Sequence, residues 1–139
     1  LAMANGPTIL ITGDMALLHD CNGWLFAKSV SPPLVVFVID NGGGGIFNRL
    51  NLQTDSRETF ERLFVMPQSV DIFSLVNAYG ISYRQVACFE DLPESLDWSL
   101  SRSGPVLIRV CTNSESDACK KNEICMLLDQ HLRDSSKNL

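Results

Sequence analysis

Runs of apolar residues interrupted by glycine, proline and polar clusters divide this chain into alternating strand-like and helix-like segments. Thr8 to Thr12 is a short β-branched and apolar run that stops at Gly13, and Leu34 to Ile39 is a continuous apolar run. Such runs, too short for a lone helix and without polar alternation, are typical of strands covered on both faces. Between them, Ala16 to Val30 reads as one helix with Leu17, Leu18, Cys21 and Leu25 on its buried side, ended by Ser31-Pro32-Pro33. The three segments make a strand-helix-strand unit.

Further along, Gly42 to Gly45 leave the second strand, and Ile46 to Leu50 open a short helix. A polar, charge-mixed segment running to Pro67 reads as a long loop. Ile72 to Tyr79 has helical spacing ending at Gly80, Ser82 to Ala87 reads as a strand, Leu92 to Leu100 as a helix and Pro105 to Cys111 as a strand. From Asp117 onward, Ile124, Leu127, Leu128, His131 and Leu132 fit a terminal amphipathic helix, followed by a fraying tail. Leu1 to Ala4 look like the last turn of a helix stopped by Asn5-Gly6-Pro7, so the domain is expected to begin upstream. This alternation predicts an α/β fold, a three-layer sandwich with a mostly parallel sheet, whose ligands sit beyond the carboxyl ends of the strands.

Composition narrows the function. The 139 residues are 45% hydrophobic, enough for one domain with a substantial core. Eleven Lys and Arg against 16 Asp and Glu give a net charge of −5, which provides no basic stripe for nucleic acid. Five cysteines, odd in number and without a C-x-x-C pair, point to a reducing compartment and not to a disulfide scaffold. No apolar stretch approaches the roughly 20 residues of a membrane span.

The candidate chemistry lies at two strand ends. Gly13-Asp14 closes the first strand, and Asn41 follows Asp14 by 27 positions at the end of the second. One strand-helix-strand excursion takes about that length, so parallel neighbours would bring the tips together. A carboxylate (Asp14), an amide oxygen (Asn41) and a main-chain carbonyl (Gly43) form a hard, oxygen-only set suited to magnesium that also holds phosphate oxygens. The amides of Met15 and Ala16 open the following helix, where unpaired N–H groups favour an anion. Glycines 42 to 45 let the main chain approach the same phosphates. Singly, an Asp after a strand is usually a helix cap and a glycine run usually a turn; their coincidence at two adjacent tips is what points to a site. His19 and Asp20 receive no role, and Trp24, Trp98, Phe73 and Cys21 read as packing residues.

These two segments resemble the bipartite thiamine-diphosphate motif, GDG followed at a distance by NN, here G-D-M and D-N. More narrowly, GDMALLHDCNG, DNGGGGIFNRL, FERLFVMPQSVDIFSLVNAYGISY and PVLIRV together are similar to the 2-succinyl-5-enolpyruvyl-6-hydroxy-3-cyclohexene-1-carboxylate synthase family of menaquinone and phylloquinone synthesis. The resemblance implies the thiamine-diphosphate-binding fold and a carboligase that decarboxylates 2-oxoglutarate and adds the succinyl unit to isochorismate, the cofactor carrying the hard chemistry.

By position, the resemblance places magnesium (or manganese) on Asp14, Asn41 and the Gly43 carbonyl, the diphosphate along Gly13, Met15, Ala16, Gly44 and Gly45, and the thiazolium against Ile46, Phe47 and Leu50. Met15, Ala16 and Asp40 depart from the usual motif, and Asp40 adds a negative charge beside a diphosphate. The resemblance further implies that residues 1–139 are one domain lacking its N-terminal part and the pyrimidine-binding and central domains. The cofactor-activating glutamate would come from the pyrimidine-binding domain of a second subunit in a homodimer or homotetramer. No catalytic residue is assigned on this chain, which is expected to be inactive alone, and the location is bacterial cytoplasm or plastid stroma. Another thiamine-dependent decarboxylase or carboligase, or a non-catalytic α/β interaction domain, are the alternatives.

Overall fold

The computed structural model describes residues 6–27, 29–49 and 56–136. Four strands, β1 (Thr8–Gly13), β2 (Leu34–Asp40), β3 (Ser82–Val86) and β4 (Pro105–Cys111), form one sheet in the order β1-β2-β4-β3, with every neighbouring pair parallel. In the register, Gly13 lies opposite Ile39, Val38 opposite Arg109 and Asp40 opposite Cys111. The carboxyl ends of β1, β2 and β4 therefore open on one side.

Six α-helices lie among the described residues: α1 (Asp14–His19), α2 (Trp24–Ala27), α3 (Arg57–Phe60), α4 (Ile72–Ala78), α5 (Leu92–Leu100) and α6 (Ser114–Ser136). Because side chains alternate across a strand, the sheet feeds two cores. Val36, Val38 and Leu107 pack with Leu17, Trp24, Ala27, Ile72, Val76 and Ile81 from α1, α2, α4 and the turn after α4, with Cys21 and Phe73 half-buried against them. On the other face Val35, Val106, Ile108 and Val86 pack with Phe37, Leu92 and Trp98. These two cores make the three-layer sandwich that the alternation of elements predicts.

Three local expectations need correction. The single helix over 16–30 is broken into α1, a 3-10 turn at Cys21–Gly23 and α2. The break rotates Leu25 outward, leaving it 64% exposed while Trp24 is buried. The apolar spacing persists across the break, which is why periodicity alone hides it.

The polar stretch before Pro67 is not a bare loop. Ser56 caps α3 by accepting the Thr59 N–H, a π-helical turn covers Glu61–Val65, and Met66 closes it at φ +44°.

The terminal helix begins at Ser114 with Asn113 accepting the Ser116 N–H, and it packs only at its start. Ile124, Leu127, Leu128 and Leu132 are all more than half exposed. A helix of 23 residues is about 35 Å long, so most of α6 runs past the sheet and its apolar positions meet no core in this chain. No helix among the described residues is long and apolar enough to cross a membrane. The expected helical turn at residues 1–4, the end of the tail and Leu50 lie outside the described residues.

Candidate functional site

The two strand tips meet. Asp14 is the first residue of α1 and is 4% exposed. Its Oδ1 accepts the Met15 N–H at 2.7 Å and its Oδ2 accepts the Gly43 N–H at 2.8 Å, a bond that spans 29 positions of sequence and ties the end of β1 to the turn after β2. Burial pushes the Asp14 carboxyl above its ordinary value, and the neighbouring Asp40 adds to the rise, against the pull of the two main-chain donors. A buried carboxylate held beside a second one gains from a cation in the same place.

Asn41 leads into that turn. Its Oδ1 is buried and has no hydrogen-bond partner among the described residues. A buried acceptor left unpaired costs on the order of 1–3 kcal/mol, and a cation bound at it would satisfy it. Gly45 is required beside it, since a Cβ there would stand 2.6 Å from Asn41 Nδ2. Gly43 keeps a carbonyl lone pair available although it accepts the Gly45 N–H at 2.9 Å. The chemistry of this donor set fits a hard divalent cation.

Gly42 (φ +79°) and Gly43 (φ +146°) give the turn its shape. Segment 61–68 clasps the run from outside: the Gly44 N–H donates to the Val65 carbonyl, and the Gly42 carbonyl accepts the Gln68 N–H at 2.9 Å. A Cβ on Gly44 would collide with the Phe64 carbonyl. Gly44 and Gly45 thus use their amides inside the chain, and close packing, not an open path for phosphate, accounts for the missing side chains there. Gly13 and Gly42 are different, because a Cβ at either would meet nothing within 4 Å. Met15 is half-buried and Ala16 exposed on α1. Ile46 is 64% exposed, and the Phe47 ring stands edge-on to Phe64 at 5.7 Å in the 3-10 turn Gly45–Arg49.

Asp40, the departure that adds charge, is compensated. Its Oδ2 accepts from Arg109 Nε at 2.7 Å and its Oδ1 accepts the Gly42 N–H at 3.0 Å. Burial alone would raise the Asp40 carboxyl, yet the Gly42 donor and Arg109 together bring it below its ordinary value. Arg109 was not singled out from the sequence; the signal was present as the lone charge inside the apolar run of β4. A cleft of about 320 Å³ lies against these groups, lined by Asp14, Asp40, Gly42, Gln68, Asp71 and Arg109.

Two buried carboxylates, an unpaired amide oxygen and a glycine turn thus gather at the carboxyl end of the parallel sheet. A family model described as the thiamine pyrophosphate enzyme C-terminal TPP binding domain matches residues 1–110, and the chain belongs to that family. Within it, the chain is 55% identical over 138 residues to the 2-succinyl-5-enolpyruvyl-6-hydroxy-3-cyclohexene-1-carboxylate synthase of Prochlorococcus marinus (strain MIT 9313), covering 99% of this chain and 24% of the relative. The synthase of Synechococcus sp. (strain CC9311) is 51% identical over 130 residues, 94% of this chain and 22% of the relative. The chain thus spans about a quarter of the length of the curated relatives it matches.

Among solved structures, benzoylformate decarboxylase from Polynucleobacter necessarius superposes with a TM-score of 0.61 at 20% identity, over 78% of this chain and 20% of that one. A thiamine diphosphate-dependent 4-hydroxybenzoylformate decarboxylase of Rhodococcus jostii gives a TM-score of 0.61 at 25% identity, over 77% and 20%. These likenesses support the fold. The family model ends before α6, whereas the alignment to the Prochlorococcus synthase runs through it, so α6 goes with the narrower group.

Proposed function

We propose that this chain is the cofactor-holding quarter of a thiamine-diphosphate-dependent synthase that decarboxylates 2-oxoglutarate and adds the succinyl unit to isochorismate. The observation that carries the site is the buried Asn41 Oδ1, without a hydrogen-bond partner among the described residues, at the head of a turn that the Gly43 N–H ties to the buried Asp14 carboxylate. The identity to the cyanobacterial synthases over nearly the whole chain favours this reaction over other thiamine chemistry. The compensation of Asp40 by Arg109 removes one motive for reading the domain as a decayed, cofactor-free relative.

In this reading Asp14, Asn41 and the Gly43 carbonyl hold magnesium, or manganese in its place. Gly13, Gly42, Met15 and Ala16 face the diphosphate, and Ile46 and Phe47 stand on the thiazolium side. The cofactor supplies the carbanion-stabilising chemistry, and this chain fixes its charged end. The second half of the site comes from the pyrimidine-binding domain of another subunit in a homodimer or homotetramer, so the 139 residues alone are inactive. Exposed Ile9, Leu10 and Ile11 on the edge strand β1 and Phe26 on α2 fit surfaces that other parts of a longer protein cover. In this reading the protein works in a bacterial cytoplasm or a plastid stroma.

Calorimetric titration of the full-length protein with thiamine diphosphate, with and without magnesium, tests this reading. Binding that requires magnesium and is lost in Asp14→Ala is the expected result; no binding under either condition ends it.

A further inference from the structure

We propose that Arg109 is a positioning residue for the cation: by neutralising Asp40 it leaves Asp14 as the one buried carboxylate among the described residues without a cationic partner, and so sets how tightly magnesium is held. The inference rests on the preceding reading that the site takes magnesium and a diphosphate.

Asp40 ends β2 on the same face as Val36 and Val38, and Arg109 stands opposite Val38 on β4, so the two side chains emerge from one face a single step apart. Each oxygen of Asp40 has its own task. Oδ1 takes the Gly42 N–H and shapes the turn, while Oδ2 takes Arg109 Nε. The guanidinium is further fixed 5.5 Å above the Phe73 ring of α4.

Asp14 and Asp40 are both buried, line one cleft with Arg109, and accept the N–H groups of the adjacent residues Gly43 and Gly42. With Arg109 present the three groups sum to one negative charge; without it they would sum to two. A unit charge a few ångströms from a divalent cation in this setting shifts affinity by roughly tenfold or more.

A purely structural ion pair would behave differently. Breaking it from either side would loosen the turn and weaken magnesium binding both times. A charge-setting pair gives opposite signs, because Asp40→Asn leaves an unbalanced cation and Arg109→Gln an unbalanced anion. Asp40→Asn is isosteric and still accepts the Gly42 N–H, so the turn survives.

The experiment is calorimetric titration of magnesium into the full-length protein in the presence of excess thiamine diphosphate, with circular dichroism confirming that each variant is folded. Arg109→Gln is expected to tighten magnesium binding and Asp40→Asn to weaken it, each roughly tenfold. The double variant and Arg109→Lys return to within about threefold of the parent, since both restore the charge balance. Weaker binding in both single variants, or a double variant no better than the worse single, overturns the proposal. If Arg109→Gln does not fold, the double variant decides it: magnesium binding within about threefold of the parent supports charge balance, and binding no better than that of Asp40→Asn overturns it. A parent protein that binds no thiamine diphosphate at any magnesium concentration fails the functional reading itself, and this inference with it; a parent that binds while the variants share one sign fails this inference alone.

Discussion

Replacing Gly43 with alanine should destabilise the fold far more than the same change one residue earlier. At Gly43 the backbone sits at φ +146°, and a Cβ would stand 2.5 Å from the Val65 carbonyl oxygen, 3.0 Å from that of Met66 and 3.3 Å from Pro67 Cα. All three are main-chain atoms and cannot rotate away. The unfavourable φ costs about 1–2 kcal/mol, and forcing a methyl into a packed site about 1–3 kcal/mol more, so Gly43→Ala should lose about 2–5 kcal/mol. Gly42, at φ +79° with nothing within 4 Å of the added Cβ, carries only the first cost, about 1–2 kcal/mol. Urea unfolding of the 139-residue chain followed by far-ultraviolet circular dichroism reads the difference as a shift in midpoint at constant slope. If Gly43→Ala lies within about 0.5 kcal/mol of Gly42→Ala, the clasp by segment 61–68 is not packed on the glycine turn as described.

Three more outcomes follow from the same geometry. Gly13 has φ −87° and open space where a Cβ would go, so Gly13→Ala should leave folding stability within about 1 kcal/mol of the parent or raise it; thiamine diphosphate affinity of the full-length protein should nevertheless fall, and an unchanged affinity would remove Gly13 from the diphosphate path. Asn41→Ala deletes an acceptor with no partner among the described residues, so magnesium affinity should drop at least roughly tenfold while stability changes by no more than about 1 kcal/mol; a large loss of stability with unchanged magnesium binding would contradict this. The raised Asp14 carboxyl means that magnesium-dependent binding, which needs the ionised form, should fade on acidification at a pH above that at which an ordinary aspartate protonates. In the metal-free chain the native state holds that proton more tightly than the unfolded one, so Asp14's contribution to stability declines as pH rises through the same window; Asp14→Asn should abolish this slope in urea titrations across pH.

Much of the architecture was legible because it depends on local pattern. Leu34 to Ile39 and Pro105 to Cys111 are apolar enough to demand cover on both faces, and their bounds fall within a residue of β2 and β4. The break after His19 was not legible, since Asp20, Asn22 and Gly23 interrupt the helix without interrupting the spacing of apolar residues. Segment 56–67 was hidden for the opposite reason. Its charges disguise a short helix and a π-helical turn whose Phe60 and Phe64 rings stack at 5.7 Å beneath Phe47, a cluster assembled from positions far apart in sequence.

The site itself divides along the same line. Asp14, Asn41 and the glycines lie at the ends of strands joined by one crossover, so sequence spacing alone suggests their meeting. Arg109 reaches Asp40 only because β4 inserts between β2 and β3, and strand order is not written in the spacing of any motif. Without that neighbour Asp40 reads as an unfavourable charge beside a diphosphate. With it, the same carboxylate becomes a brace: one oxygen holds the Gly42 N–H, the other is neutralised from the next strand, and Gly43 is presented to Asp14. The tips of β1, β2 and β4 are thus joined by a short chain of hydrogen bonds from guanidinium to carboxylate to turn to carboxylate. A cation ligated at its far end would feel the charge at its near end, so on the proposed reading strand order, and not motif identity alone, sets how the site would bind metal.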